Sequence, residues 1–196
     1  MNYEDKCVLG VEVMLNITKI KLLFASFLFA ISTSGGAMAE NLVQTKQWSY
    51  FADTVMGGVS QGTAKFENSG SNKTIRLTGE VSTANNGGFA SVRYRFRAKD
   101  IAGKKTISIR LKGDSKSYQF RVKSQANDYY SYITTFSTLG NWETIHINLQ
   151  DLYPSFRGNK LNKDNFNNSS IEEISFLIAN KKNESFKLVI DKIEIN

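Results

Sequence analysis

The chain of 196 residues contains one cysteine, one proline and one histidine. A single cysteine excludes a disulfide scaffold. With so few His and Cys residues, nothing offers a thiolate or imidazole cluster for a transition metal. The lone His146 alternates with Ile145 and Ile147, which places its side chain towards solvent and argues against a Ser-His-Asp triad built on it. No loop spells a calcium site. No Gly-rich stretch carries the Lys-Ser/Thr ending of a phosphate loop. No cofactor and no metal are therefore expected. A run of 18 or more apolar residues is also missing, so no full-length spanning helix is expected.

What is present at the start reads as a leader. Lys19 and Lys21 precede the short apolar run Leu22–Ser32, and Ala37-Met38-Ala39 follows as a small-x-small cleavage site. The expectation is cleavage after residue 39, with Glu40 as the first mature residue and Met14 as an alternative start. The competing reading is an uncleaved membrane anchor. Cleavage predicts a periplasmic or secreted protein, and membrane contact then occurs only through the leader. Cys7 leaves with it. Residues 40–196, about 157 of them, are enough to bury roughly two-thirds of the unfolded surface in one domain.

That domain reads as all-β. Thr106–Lys112, Tyr118–Lys123, Thr144–Leu149 and Ser185–Ile195 alternate apolar and polar residues, as do Val92–Arg97 and Ile174–Ile178. Shorter candidates are Trp48–Phe51, Thr63–Phe66, Thr74–Glu80 and Tyr130–Ser137. The pattern shifts near Asp191, the signature of a bulge. Nine or ten strands with Gly-, Asn- and Ser-rich turns between them predict a β-sandwich or jelly roll. Asp151–Phe156 is read as one short helical turn.

Some stretches are more particular. Trp48 is followed by Asp53-Thr54-Val55-Met56-Gly57-Gly58-Val59-Ser60-Gln61-Gly62, then by Asn85-Asn86-Gly87-Gly88-Phe89-Ala90-Ser91-Val92-Arg93. Lys112-Gly113-Asp114 with Tyr118, then Trp142, then Pro154-Ser155-Phe156-Arg157-Gly158 complete the series. In this order they resemble the CIA30 family, the complex I intermediate-associated protein 30 domain, over about residues 47–195. The resemblance implies a galactose-binding-domain-like jelly-roll β-sandwich. It also implies a chaperone-like, non-enzymatic role, since mitochondrial members assist assembly of respiratory complex I. Those members work in the matrix, whereas this chain carries an export-type leader. Fold and family do not fix function.

The residues themselves leave two binding readings open. One is a protein partner, such as a respiratory-complex subunit or an envelope protein. The other is an exported carbohydrate-binding module for an acidic or neutral glycan. Asp53, Met56 and Ser60 mark a loop that is either a tight turn or the rim of a site. Asn86 either shapes a turn or offers its amide to a ligand. Arg93, Arg95 and Arg97 alternate on one strand, as do Arg110 with Lys112 and Arg121 with Lys123. Were the three strands neighbours, seven cations would share one face and suit an anionic partner, with a solvated face as the plain alternative. The net charge of +7 agrees with either. Export would separate the chain from nucleic acid, so none is expected as a partner. Among the aromatics Trp48, Tyr129, Tyr130, Tyr132 and Trp142, each able to stack on sugar or pack internally, Trp142 is the best placed near a rim. Asp53, Asp114 and Glu143 are the only suggestive acids for glycoside chemistry, the weakest reading.

Overall fold

A computed structural model describes residues 40–44, 47–69 and 72–196. The leader and its cleavage site lie outside the described residues. Twelve strands are present among them: β1 Trp48–Ala52, β2 Gln61–Ser69, β3 Asn72–Val81, β4 Ala90–Asp100, β5 Thr106–Lys112, β6 Ser117–Lys123, β7 Ser131–Ser137, β8 Trp142–Asn148, β9 Tyr153–Phe156, β10 Asn159–Lys160, β11 Ser170–Ile178 and β12 Glu184–Ile195. Asp151–Phe156 departs from the expected helical turn: a 3-10 turn covers Leu149–Asp151, and Tyr153–Phe156 pairs with β7 and β10. Pro154 is tolerated in β9 because its neighbour Ser155 carries the pairing to Ser131 and Lys160.

The strands form two antiparallel sheets. One runs β1-β4-β11-β6-β7-β9-β10 and the other β2-β3-β12-β5-β8. Alternation puts Val92, Tyr94, Phe120, Val122, Ile174 and Phe176 of the first sheet against Leu77, Ile107, Ile109, Leu111, Leu188 and Ile190 of the second, in one buried cluster. The register slips between Ile190 and Lys192, which is the bulge expected near Asp191. Asp191 there meets Arg110 in an ion pair, and Asn41 Nδ2 donates to its carbonyl at 2.8 Å. The segment before β1 is thereby tied to the second sheet.

Gly62 and Gly79 face each other across β2 and β3. A Cβ on Gly79 would stand 2.1 Å from Gln61 O and 2.5 Å from Gly62 Cα, both backbone atoms that cannot swing aside. Gly79→Ala should therefore cost about 2–3 kcal/mol through overpacking. A lower urea midpoint with an unchanged m-value checks this.

Candidate functional site

Two loops meet at one end of the first sheet. A 3-10 turn over Asp53–Met56 follows β1, and a second over Ala84–Asn86 precedes β4. Asn85 and Asn86 adopt φ of 55° and 58°, a left-handed conformation that asparagine tolerates. Asp53 is fully buried between the loops. One carboxylate oxygen accepts from Ser60 N at 3.0 Å. The other accepts from Ser60 Oγ at 2.5 Å, Gly88 N at 2.6 Å and Phe89 N at 3.1 Å. Ser60 Oγ in turn accepts from Ser82 N at 2.9 Å. A Cβ on Gly58 would fall 2.4 Å from the Asp53 carboxyl group, and one on Gly87 2.7 Å from Oδ2. Only glycine lets both loops close on the acid.

Burial pushes the Asp53 pKa up. The donors from Gly88, Phe89 and Ser60 outweigh that, and the net result is a pKa below its ordinary value. Asp53 and Ser60 thus spend their hydrogen-bonding capacity inside the fold. The same arrangement presents Val55, Met56 and Val59 to solvent, 73%, 61% and 45% exposed. Three neighbouring apolar side chains stand out on a loop whose base is clamped. Asn86 is exposed beside it.

The cations divide between the two sheets, so the expected single face of seven does not form. Arg93, Arg95, Arg97, Arg121 and Lys123 belong to the first sheet, Arg110 and Lys112 to the second. Strand β5 pairs with β12 and β8 instead of with β4 or β6, because its apolar residues are needed on the opposite wall of the core. Arg95 is engaged with Glu173 at 2.6 Å. Arg93 lies over the Phe51 ring, 4.7 Å from its centroid. Trp142 is on the far sheet, where Arg110 covers its ring at 4.7 Å. It remains 41% exposed but shares no sheet with Arg93 or Arg95.

Of the other aromatics, Trp48 and Tyr132 are buried, and Tyr129 packs edge-on against Tyr130 and Phe156. Asp114 bridges Lys116 Nζ, Tyr118 Oη and Lys187 N. Glu143 accepts from Leu139 N. All three acids considered for glycoside chemistry are thus engaged by the fold. His146 is exposed and meets Ser108 Oγ at 3.1 Å.

A family model described as complex I intermediate-associated protein 30 (CIA30) matches residues 38–190. The chain belongs to the CIA30 family. No curated protein matches it. Among solved structures it is similar to the family 11 carbohydrate-binding module of a Clostridium thermocellum cellulosomal cellulase. The TM-score is 0.64 at 16% identity, covering 81% of this chain and 94% of that one. The same module in complex with a β-1,3-1,4-mixed-linked tetrasaccharide gives 0.63 at 17% identity, covering 81% and 93%. At such identity the likeness establishes the jelly-roll sandwich and nothing more.

In this CIA30 chain the two most distinctive motifs, around Asp53 and around Gly88, are the two halves of one clamp. Val55 and Val59 belong to its exposed loop although the sequence singled out only Met56. Their signal was visible as three apolar residues in a Gly-rich turn, where solvated side chains are the norm.

Proposed function

We propose that this CIA30 domain works by holding a partner protein on the loop of residues 54–59, and that it does so outside the cytoplasm. The observation that carries the reading is the display of Val55, Met56 and Val59 on a loop whose base is hydrogen-bonded to the buried Asp53 carboxylate. Exposed apolar side chains gain by burial against a partner, and a pre-ordered loop loses little entropy on docking. Met56 adds an unbranched, polarizable side chain that adapts to the opposing surface. The partner chemistry that fits is an apolar surface patch with a polar rim. The leader read in residues 1–39 supports an envelope protein as the client.

A photo-reactive residue at Met56 of the full-length chain tests this in separated cell fractions. The expected result is a protein adduct from position 56 in the exported fraction, on a chain whose intact mass begins at Glu40. A reactive residue at Lys65, exposed on β2 of the other sheet, should give none. Equal adducts from both positions would overturn the loop reading. An uncleaved chain facing the cytoplasm would overturn the location and make complex I subunits the partners to test.

A further inference from the structure

The face of the first sheet that points away from the core carries a second feature. Arg93 of β4 and Arg121 of β6 sit opposite the same residue of β11, Ser175. With strands about 4.8 Å apart, their Cα atoms stand roughly 10 Å from each other. Both guanidinium groups lean towards the same neighbouring row. Arg93 lies over Phe51, and Arg121 Nε and Nη2 donate to Gln119 Oε1 at 3.1 and 2.6 Å. Phe51 and Gln119 belong to one row, Phe51–Ser91–Leu177–Gln119. The two forks therefore stand at opposite ends of that row, with Ser91 and Leu177 between them.

Neither arginine meets a carboxylate among the described residues. The next row differs, for Arg95 is neutralised by Glu173, and Lys123 Nζ is held by Asp128 O at 2.6 Å. Arg121 is half-buried, and burial pushes its pKa down. A desolvated guanidinium without a counter-charge is costly, and its planar donors match a carboxylate. Exposed hydroxyls flank the pair, Ser49 opposite Arg93 and Thr135 opposite Gln119, with Tyr153 beyond Ile133, while Ser175 and Leu177 between the arginines are buried. Such a surface offers hydrogen bonds to a polyhydroxylated ligand.

We infer that Arg93 and Arg121 form a site for a carboxylate-bearing oligosaccharide of the uronic-acid type, lying across β4, β11 and β6. The site stands on its own, whether or not the loop of residues 54–59 docks a protein. Charge-assisted, bidentate contacts carry the affinity, and the exposed hydroxyls of Ser49 and Thr135 at the sides orient the sugar.

Calorimetric titration of the chain recovered from cells with tetragalacturonate tests it, against neutral galactotetraose and hexaglutamate. Tetragalacturonate should bind at least tenfold more tightly than either, with affinity falling as salt rises. Arg121→Gln and Arg93→Gln should each weaken it about five- to tenfold. Arg97→Gln, which removes an equal charge from an exposed position on the same strand, should change it less than twofold. Arg121→Lys should recover less than half of the loss, because it keeps the charge without the fork. A variant that fails to give the wild-type circular dichroism is set aside, and Arg93→Gln then decides. Undetectable binding of tetragalacturonate, or equal binding of the neutral sugar, would overturn the proposal. So would an equal effect of Arg97→Gln, which would mean diffuse charge. Hexaglutamate binding as well as the sugar would replace it with an acidic-peptide site.

Discussion

Asp53→Ala should lower stability by about 3–5 kcal/mol. The carboxylate satisfies three backbone N–H groups and one hydroxyl, and each donor stranded in a buried setting costs about 1–3 kcal/mol. Some are only part-buried and recover water, which keeps the total below the sum. For a domain of this size the melting temperature should fall roughly 6–15 °C. Asp53→Asn preserves the shape but turns an NH2 group towards donors, so it should recover less than half of the loss. The acid limb of the stability curve separates the two contributions. The folded pKa of Asp53 is depressed. Its stabilisation is therefore fully present above the unfolded value of about 4 and is lost as pH falls through the folded value. The wild type should lose stability across that window, and Asp53→Asn should lose less. Scanning calorimetry at pH 7 and across pH 2–5 reads both effects. A melting temperature for Asp53→Ala within 2 °C of wild type would contradict the clamp.

The second large effect concerns binding. Val55, Met56 and Val59 make their contacts with solvent, so replacing them together by serine should leave the fold intact. Surface changes of this kind stay within about 0.5 kcal/mol each. On docking, a fully buried Val or Met side chain contributes about 1.5–3 kcal/mol. Three anchors should be worth at least 3 kcal/mol even when burial is incomplete. That is a loss of more than 100-fold in affinity, at about 1.4 kcal/mol per tenfold. The Asp53 variants should weaken binding less than the triple change, because they loosen the loop without removing its apolar surface.

Strand periodicity makes most of this fold readable in the sequence. Thr106–Lys112 lies where its alternation placed it, and the break near Asp191 marks a true register slip. Ser155 and its neighbours were harder, since Pro154 hides a short strand, paired between β7 and β10, behind what looks like a turn. The pairing of strands was not legible. Alternating arginines on β4, β5 and β6 look alike in sequence, yet sheet membership is decided by which apolar rows fill opposite walls of the core. The site was half legible. Its residues were conspicuous as motifs, but a buried carboxylate and an exposed ligand-binding carboxylate are the same letter in a sequence. Only the contact of Asp53 with Gly88, thirty-five positions on, shows that the two motifs are one device. The Arg93–Ser175–Arg121 row depends on the pairing of β4, β11 and β6 and could not be read from spacing.

The most direct measurement is a titration of the protein captured at Met56 against two chains of matched stability, wild type and the V55S/M56S/V59S variant. Binding by the wild type, weakened more than 100-fold in the variant at an unchanged melting temperature, is the predicted result. Equal affinity for both chains would contradict the claim that this loop holds the partner.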